Sequence, residues 1–306
     1  MRYSLIDTHC DTMEKAFDQN GSFFKNSFHV DLDKCSFSEY TQFFAAFIDP
    51  IYKDRAYERA TDLIGKFKAE IKKSNGKIAF CRSFADYLEN KGKIRAFLSL
   101  EGGEAIEDLT ALHHFYNEGV RLIALTWNYK NHLAGGVLDE DKGITSLGKS
   151  VIKEMNRLGV ILDVSHLNDR SFWNVIEISE KPVIASHSNS RKICNHPRNL
   201  TDEQFAAIKE KGGYVGINLY PIFLNDTGNA EISNIISHIE HFLSLGGENN
   251  IGIGADFDGV EFLPQGISGF WDIYKIFDEM LSLGYSEELV NKISHTNMER
   301  ILQENL

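Results

Sequence analysis

The chain has 306 residues, 42% hydrophobic and 25% charged, with a formal net charge of -12. Its acidic residues are spread along the sequence rather than gathered in a tail, which argues against a general nucleic-acid or anionic-membrane surface while leaving room for an anionic substrate beside local cations. No run of about 18 apolar residues exists, and the first residues lead straight into a polar-ended strand with no apolar stretch suited to a signal peptide, so no membrane partner and a cytoplasmic location are expected.

In chain order, short apolar runs predict strands at Ser4–His9, Phe43–Ile48, Arg95–Glu101, Arg121–Trp127, Val160–His166, Pro182–His187, Gly213–Asn218 and Ile251–Asp256. Amphipathic stretches between them predict helices at Tyr57–Lys73, Leu109–Glu118, Ser146–Leu158, Asp169–Ser179, Asp202–Lys211 and Ile232–Leu245. Near-continuous apolar strands alternating with helices indicate a parallel sheet buried on both faces. Eight of them indicate an α/β fold of the (β/α)8 TIM-barrel type, built as a single domain over residues 1–306, with a doubly wound open sheet as the competing fold. No linker, low-complexity block or internal repeat divides the chain. Polar residues decide between the two folds. They collect at one end of the strands, as His9-Cys10-Asp11, Glu101, Trp127-Asn128, His166, His187, Asn218 and Asp256, which suits the C-terminal mouth of a barrel.

These strand ends carry a recognisable chemistry. His9 and Asp11 are two apart and face one side of an extended strand, where an imidazole and a carboxylate suit a borderline metal. Alone, that pair is equally a loop histidine and a solvated aspartate. Glu101 ends an apolar run and precedes Gly102-Gly103; a carboxylate there must be paired or metal-bound, and its two oxygens can span two cations. A surface glutamate in a turn is the plain alternative. His166 and His187 cap successive strands, each behind a serine, so both imidazoles can reach one ion. Asp256, on the eighth strand, is placed for proton transfer, whereas Asp258-Gly259 also reads as a turn. Cys10, Cys35, Cys81 and Cys194 form no CxxC pair and read as reduced thiols.

Taken in order, HxD, LEGG, SH, SHS and GADFDG resemble the membrane dipeptidase (renal dipeptidase) family of zinc peptidases within the amidohydrolase-like barrels, from Ile6 to about Leu302. The resemblance implies two Zn²⁺ ions, one on His9 and Asp11, the other on His166 and His187, bridged by Glu101. The nitrogen and oxygen ligand set suits Co²⁺ and Mn²⁺ as well. It further implies that Asp256 shuttles the proton of a metal-bridging hydroxide, that Arg198 grips the carboxylate of a dipeptide, that Tyr220 lines the pocket, and that the chain forms a homodimer. The implied reaction is hydrolysis of dipeptides, L,D as well as L,L.

Two positions depart from the family. Trp127 stands where a histidine follows Leu-Thr, so Trp127 and Asn128 become the substrate-side residues of that wall, and Asn128 or His132 is the residue expected to substitute. Cys10 stands where asparagine is usual and reads as a small apolar filler. Weighed against the dipeptidase are an amidohydrolase acting on N-acyl amino acids or cyclic amides, a TatD-like nuclease, and a metal-binding protein without turnover. The nuclease would need HxH where this chain has His9-x-Asp11. Only Trp127 favours the protein without turnover.

Overall fold

Because each apolar run is too short to bury itself, the strands pair side by side and curl until no edge is left. In the computed structural model, which describes residues 3–139 and 142–306, the strands are β1 (Ser4–Asp7), β2 (Glu39–Phe47), β3 (Ile78–Phe80), β4 (Ile94–Glu101), β5 (Val120–Ala124), β6 (Ile161–Asp163), β7 (Val183–Ala185), β8 (Tyr214–Ile217) and β9 (Ile251–Ile253). All pairings between them are parallel. The ring runs β1, β2, β4, β5, β6, β7, β8, β9 and closes where Asp7 pairs with Ile253. That closure makes the fold a (β/α)8 barrel and excludes the open doubly wound sheet. β2 skips its neighbour in sequence and pairs with β4 along eight positions, from Tyr40–Ile94 to Phe47–Glu101.

The short β3 is an addition to the expected eight strands. It lies beside the first residues of β4, from Ile78–Ile94 to Phe80–Ala96, and β5 takes over that edge at Leu98. Strands β6 to β9 also stop earlier than their apolar runs suggested. The expected strand Val160–His166 ends at Asp163 and the expected strand Ile251–Asp256 ends at Ile253, because His166 and Asp256 take left-handed backbone angles, φ 68° and 63°, that no ladder accommodates.

Among the described residues, twelve α-helical segments accompany the strands: α1 (Thr12–Asp18), α2 (Ala56–Lys73), α3 (Phe84–Glu89), α4 (Leu109–Glu118), α5 (Ser146–Leu158), α6 (Asp169–Ile178), α7 (Asp202–Glu210), α8 (Pro221–Leu224), α9 (Ile232–Ser244), α10 (Tyr274–Ser282), α11 (Glu287–Asn291) and α12 (Asn297–Asn305). Their ends follow local chemistry. Thr145 and Asn168 cap α5 and α6 by accepting from the amides of Gly148 and Ser171, and Gly159 closes α5 in the left-handed region.

Side-chain alternation divides the core. Leu5, Leu98 and Leu100 point outward into the layer beneath the helices, whereas Ile6, Phe43, Phe97, Leu122, Ile161, Ile184 and Tyr214 fill the barrel. Met298, Ile301 and Leu302 of α12 join this inner layer and plug the barrel at the end opposite the mouth. Phe43 and Phe97 stack at 4.9 Å across β2 and β4. Two-residue alternation from Phe97 brings Ser99 and then Glu101 to the same inner face, so the packing that fixes the phenylalanine also aims the carboxylate. Phe97→Ala should therefore lower the unfolding free energy by about 3–5 kcal/mol, read from the shift of a urea unfolding midpoint; a midpoint matching the parent's would contradict this packing.

Candidate metal centre

The residues that end the strands meet at the mouth around one carboxylate. Glu101, the last residue of β4, is 4% exposed. Its Oε2 lies 3.2 Å from His9 Nε2, beyond β1, while its Oε1 lies 2.7 Å from His166 Nε2 and 3.6 Å from His187 Nε2. His9 Nε2 is also 3.3 Å from Asp11 Oδ2 and 3.7 Å from Asp256 Oδ1. The rings of His9 and His187 lie 4.0 Å apart. Glu101 thus faces one imidazole with each oxygen, and a second ring attends the His166 side.

Outer partners decide which nitrogens face inward. His166 Nδ1 donates to Asn128 Oδ1 at 2.8 Å. His187 Nδ1 meets Ser186 Oγ at 2.7 Å, and that hydroxyl donates to Asp163. Asp163 also accepts the amides of Ser165 and Ser186 at 2.9 Å, tying β6 to β7 directly below the two histidines. With both Nδ1 atoms carrying protons, the two Nε2 atoms present lone pairs to each other at 2.8 Å. Two lone pairs and a carboxylate oxygen converging in a buried place repel one another unless a cation lies among them. Asp11 adds a second such group, since its Oδ1 is buried without a hydrogen-bond partner.

Electrostatics give the same reading. Burial holds the pKa of His187 well below the usual imidazole range and that of Asp11 well above the usual carboxylate range. Burial would also lower His9, but the carboxylates of Glu101 and Asp11 outweigh it and hold His9 well above its ordinary value. Burial would raise Glu101, and His9 with His166 outweighs it in turn. The site gathers positive charge wherever it can find it. Donor atoms about 2.0–2.2 Å from a tetrahedral ion stand roughly 3.3–3.6 Å apart, close to the spacings of His9 to Asp11 and to Glu101. The donor atoms of His9, Glu101 and His187 all lie within 4.8 Å of one another, as do those of His9, Asp11 and Asp256. Imidazole and carboxylate in this array fit divalent metal ions.

Asp256 accepts from Asn218 Nδ2 at 2.8 Å and is held at positive φ, as are His166 and Asp258. Strained non-glycine backbone of this kind persists where the surroundings over-determine it. Gly259 packs directly against the two carboxylates: a Cβ there would stand 2.1 Å from Asp11 Oδ2 and 2.6 Å from Asp256 Oδ1, so a larger residue would have to displace them. Asp258 turns away from the centre, accepting from Thr12 Oγ1 at 2.6 Å and from the amide of His29 at 2.8 Å.

Above the carboxylates opens a cavity of about 220 Å³, lined in part by Phe47, Trp127, Asn128, Arg198, Tyr220 and Phe223. Arg198 is 6% exposed. Its Nε is buried without a partner, its Nη2 reaches only the carbonyl of His187 at 3.5 Å, and burial lowers its pKa. Among the described residues, no carboxylate forms an ion pair with it. Trp127 lies 5.5 Å from Phe47 and 6.2 Å from His166, ring to ring, and forms an aromatic wall. Tyr220 lines the opposite side, its hydroxyl donating to Glu261 at 2.6 Å.

The cavity and its floor thus bring together every residue singled out from the sequence as a ligand, proton carrier or substrate contact. Asn128 does so with its carbonyl committed to His166. His132, by contrast, gives its Nε2 to the carbonyl of Ile106 and borders a separate hollow behind Trp127, so it does not bring an imidazole to the Trp127 wall. Cys10 is buried in the apolar layer outside the barrel, and burial raises its thiol well above the ordinary value. The sequence reading missed Asp163 and Ser186 as supports of His187, and Asn218 as the holder of Asp256. The signal for Asp163 was present, because a charged residue inside Ile161–Val164 must be satisfied.

The same features recur in known proteins. A family model described as Membrane dipeptidase (Peptidase family M19) matches residues 1–305. An uncharacterised Klebsiella pneumoniae protein encoded in the pqqA 5' region is 32% identical over 250 residues, covering 77% of this chain and 92% of that protein. Dipeptidase 3 of Mus musculus is 31% identical over 232 residues, 72% of this chain, which corresponds to 46% of the mouse protein. This chain therefore spans about half the length of that relative. Among solved structures, a metallo peptidase from Rhodobacter sphaeroides, liganded with a phosphinate mimic of the dipeptide L-Ala-D-Ala, superposes over 100% of both chains with a TM-score of 0.92 at 26% identity. With the barrel, the mouth and the match along nearly its whole length, the chain belongs to the membrane dipeptidase family of metallopeptidases.

Proposed function

We propose that this protein is a zinc dipeptidase that cleaves the single peptide bond of dipeptides, with L,D as well as L,L substrates within its range. The observation that carries this reading is Glu101, whose two oxygens face His9 on one side and His166 on the other at 3.2 and 2.7 Å. His9 and Asp11 would hold one ion, His166 and His187 the other, and Glu101 would span the pair. When bound, such cations lower the pKa of a water between them toward neutrality and polarise the scissile carbonyl. Cobalt and manganese suit the same ligands.

The chain's own residues supply the remaining work. Asp256, oriented by Asn218 beside His9, takes the proton of the attacking water and delivers it to the departing amine. Arg198 offers a planar fork with unmatched donors at the cavity wall, and a free C-terminal carboxylate satisfies it bidentately. Phe47 and Trp127 exclude water from one side of the bond. Trp127 can stack or donate its indole N–H but moves no proton. No covalent nucleophile is needed, in keeping with a Cys10 thiol buried away from the cavity.

Protein loaded with zinc and assayed against a panel of L,L- and L,D-dipeptides should hydrolyse some members and lose that activity on chelation, with recovery on adding Zn²⁺, Co²⁺ or Mn²⁺. Hydrolysis of no member would sink the proposal. Asp256→Asn should keep its full metal content by elemental analysis while kcat falls about 10²- to 10⁴-fold. A variant as active as the parent would remove Asp256 from the mechanism.

A further inference from the structure

Among the described residues, and outside the roles assigned so far, one charged group lines the catalytic cavity: Glu14. Asp11 stands at the N-cap position of α1 without a capping hydrogen bond, and Glu14 lies in the first turn, three residues on, so both belong to one face of that helix. A structural role for Glu14 would be as a partner of Arg59, whose guanidinium lies 3.2 Å from Glu14 Oε1. Arg59 is already engaged by Asp18, however, with both terminal nitrogens at 2.8 Å from that carboxylate's two oxygens. One guanidinium between two carboxylates leaves a negative charge unmatched, and Glu14 is the member of the trio that borders the cavity. Burial, with Asp18 and Asp49 nearby, raises the pKa of Glu14 to about 7 against the opposing pull of Arg59, as expected of a carboxylate short of a counter-charge.

The unmatched charges of the cavity are complementary in sign. Arg198 follows β7 and Glu14 follows β1, three strands apart around the ring. The buried carboxylate of Glu101 lines the same cavity as Glu14 and Arg198. A dipeptide is about 7 Å long when extended and is itself a zwitterion. If its carboxylate meets Arg198, its N-terminal residue is the part left to reach toward the β1 side.

We propose that Glu14 is a specificity-determining residue that recognises an ammonium group on the N-terminal residue of the substrate, an inference that rests on the dipeptidase reading. The ammonium can be the α-amino group or the side chain of a basic residue, and kinetics separate the two. Wild-type, Glu14→Gln and Glu14→Asp proteins are compared in their zinc-loaded form on Ala-Ala, Lys-Ala and Glu-Ala. Recognition of the α-ammonium raises KM about tenfold for all three substrates in Glu14→Gln, with kcat retained. Recognition of the side chain leaves Ala-Ala unchanged and abolishes the wild-type preference for Lys-Ala over Glu-Ala by a similar factor. In either case Glu14→Asp restores part of the loss, because it restores the charge. KM values in Glu14→Gln equal to the parent's on all three substrates overturn the proposal. So does a fall in kcat alone accompanied by a lowered melting temperature, which marks Glu14 as a brace for Arg59. Wild-type protein inactive on every dipeptide would instead defeat the dipeptidase reading beneath it.

Discussion

Buried at the mouth of the barrel, the Glu101 carboxylate must be neutralised, and the arrangement around it follows from that requirement. An ionised carboxylate removed from water costs several kcal/mol unless it is paired. Here its partners are three imidazoles, on the segments that follow β1, β6 and β7. Two of those imidazoles direct lone pairs at the same point, so they cannot both become cations for it without setting two N–H groups against each other at 2.8 Å. The proposed metal pair would resolve the conflict for all of them together, satisfying Asp11 as well. In this view the barrel is a frame that holds mutually repelling donors close enough for divalent ions to be needed.

The frame does this through ordinary packing. Phe43 and Phe97 set the register between β2 and β4 near the middle of the barrel, and alternation carries that register upward to Phe47 and Glu101, which are directly paired. Between the apolar layer and the mouth sits a tier of small or hydrogen-bonded residues. Thr8 donates to the carbonyl of Ser186 at 2.6 Å, and a Cβ on Gly254 would stand 1.7 Å from that same oxygen. Nothing larger fits there. At the rim, His166, Asp256 and Asp258 adopt left-handed backbone, and the hydrogen bonds below them offset its cost.

Much of this could be read from the chain alone, for a definite reason. Ligands on a parallel barrel sit at strand ends, so His9, Glu101, His166 and His187 each mark the close of an apolar run, and their shared position betrays them. Residues that act through other residues leave a fainter trace. Asn128 and Ser186 look like loop polar residues, and only coordinates reveal that they choose which nitrogen of His166 and His187 points inward. Glu14 looks like any charge on a short helix until the competition for Arg59 is visible. β3, at three residues, is too short to give a periodic signal, and its place beside the start of β4 depends on pairing with a strand later in sequence. The early ends of β6 and β9 escaped for a related reason, since hydropathy does not report the sign of φ at His166 or Asp256.

His132 faces away from the cavity, toward the carbonyl of Ile106, so among the described residues Trp127 forms that wall without His132 beside it. The central claim of the proposal is that Glu101 would span two ions. Diffraction from crystals grown with zinc, collected on both sides of the zinc absorption edge, tests it directly. The account expects two anomalous peaks per chain about 3.5–4 Å apart, one in contact with His9, Asp11 and Glu101, the other with His166, His187 and Glu101. A single peak, or two peaks of which one fails to touch Glu101, would contradict it.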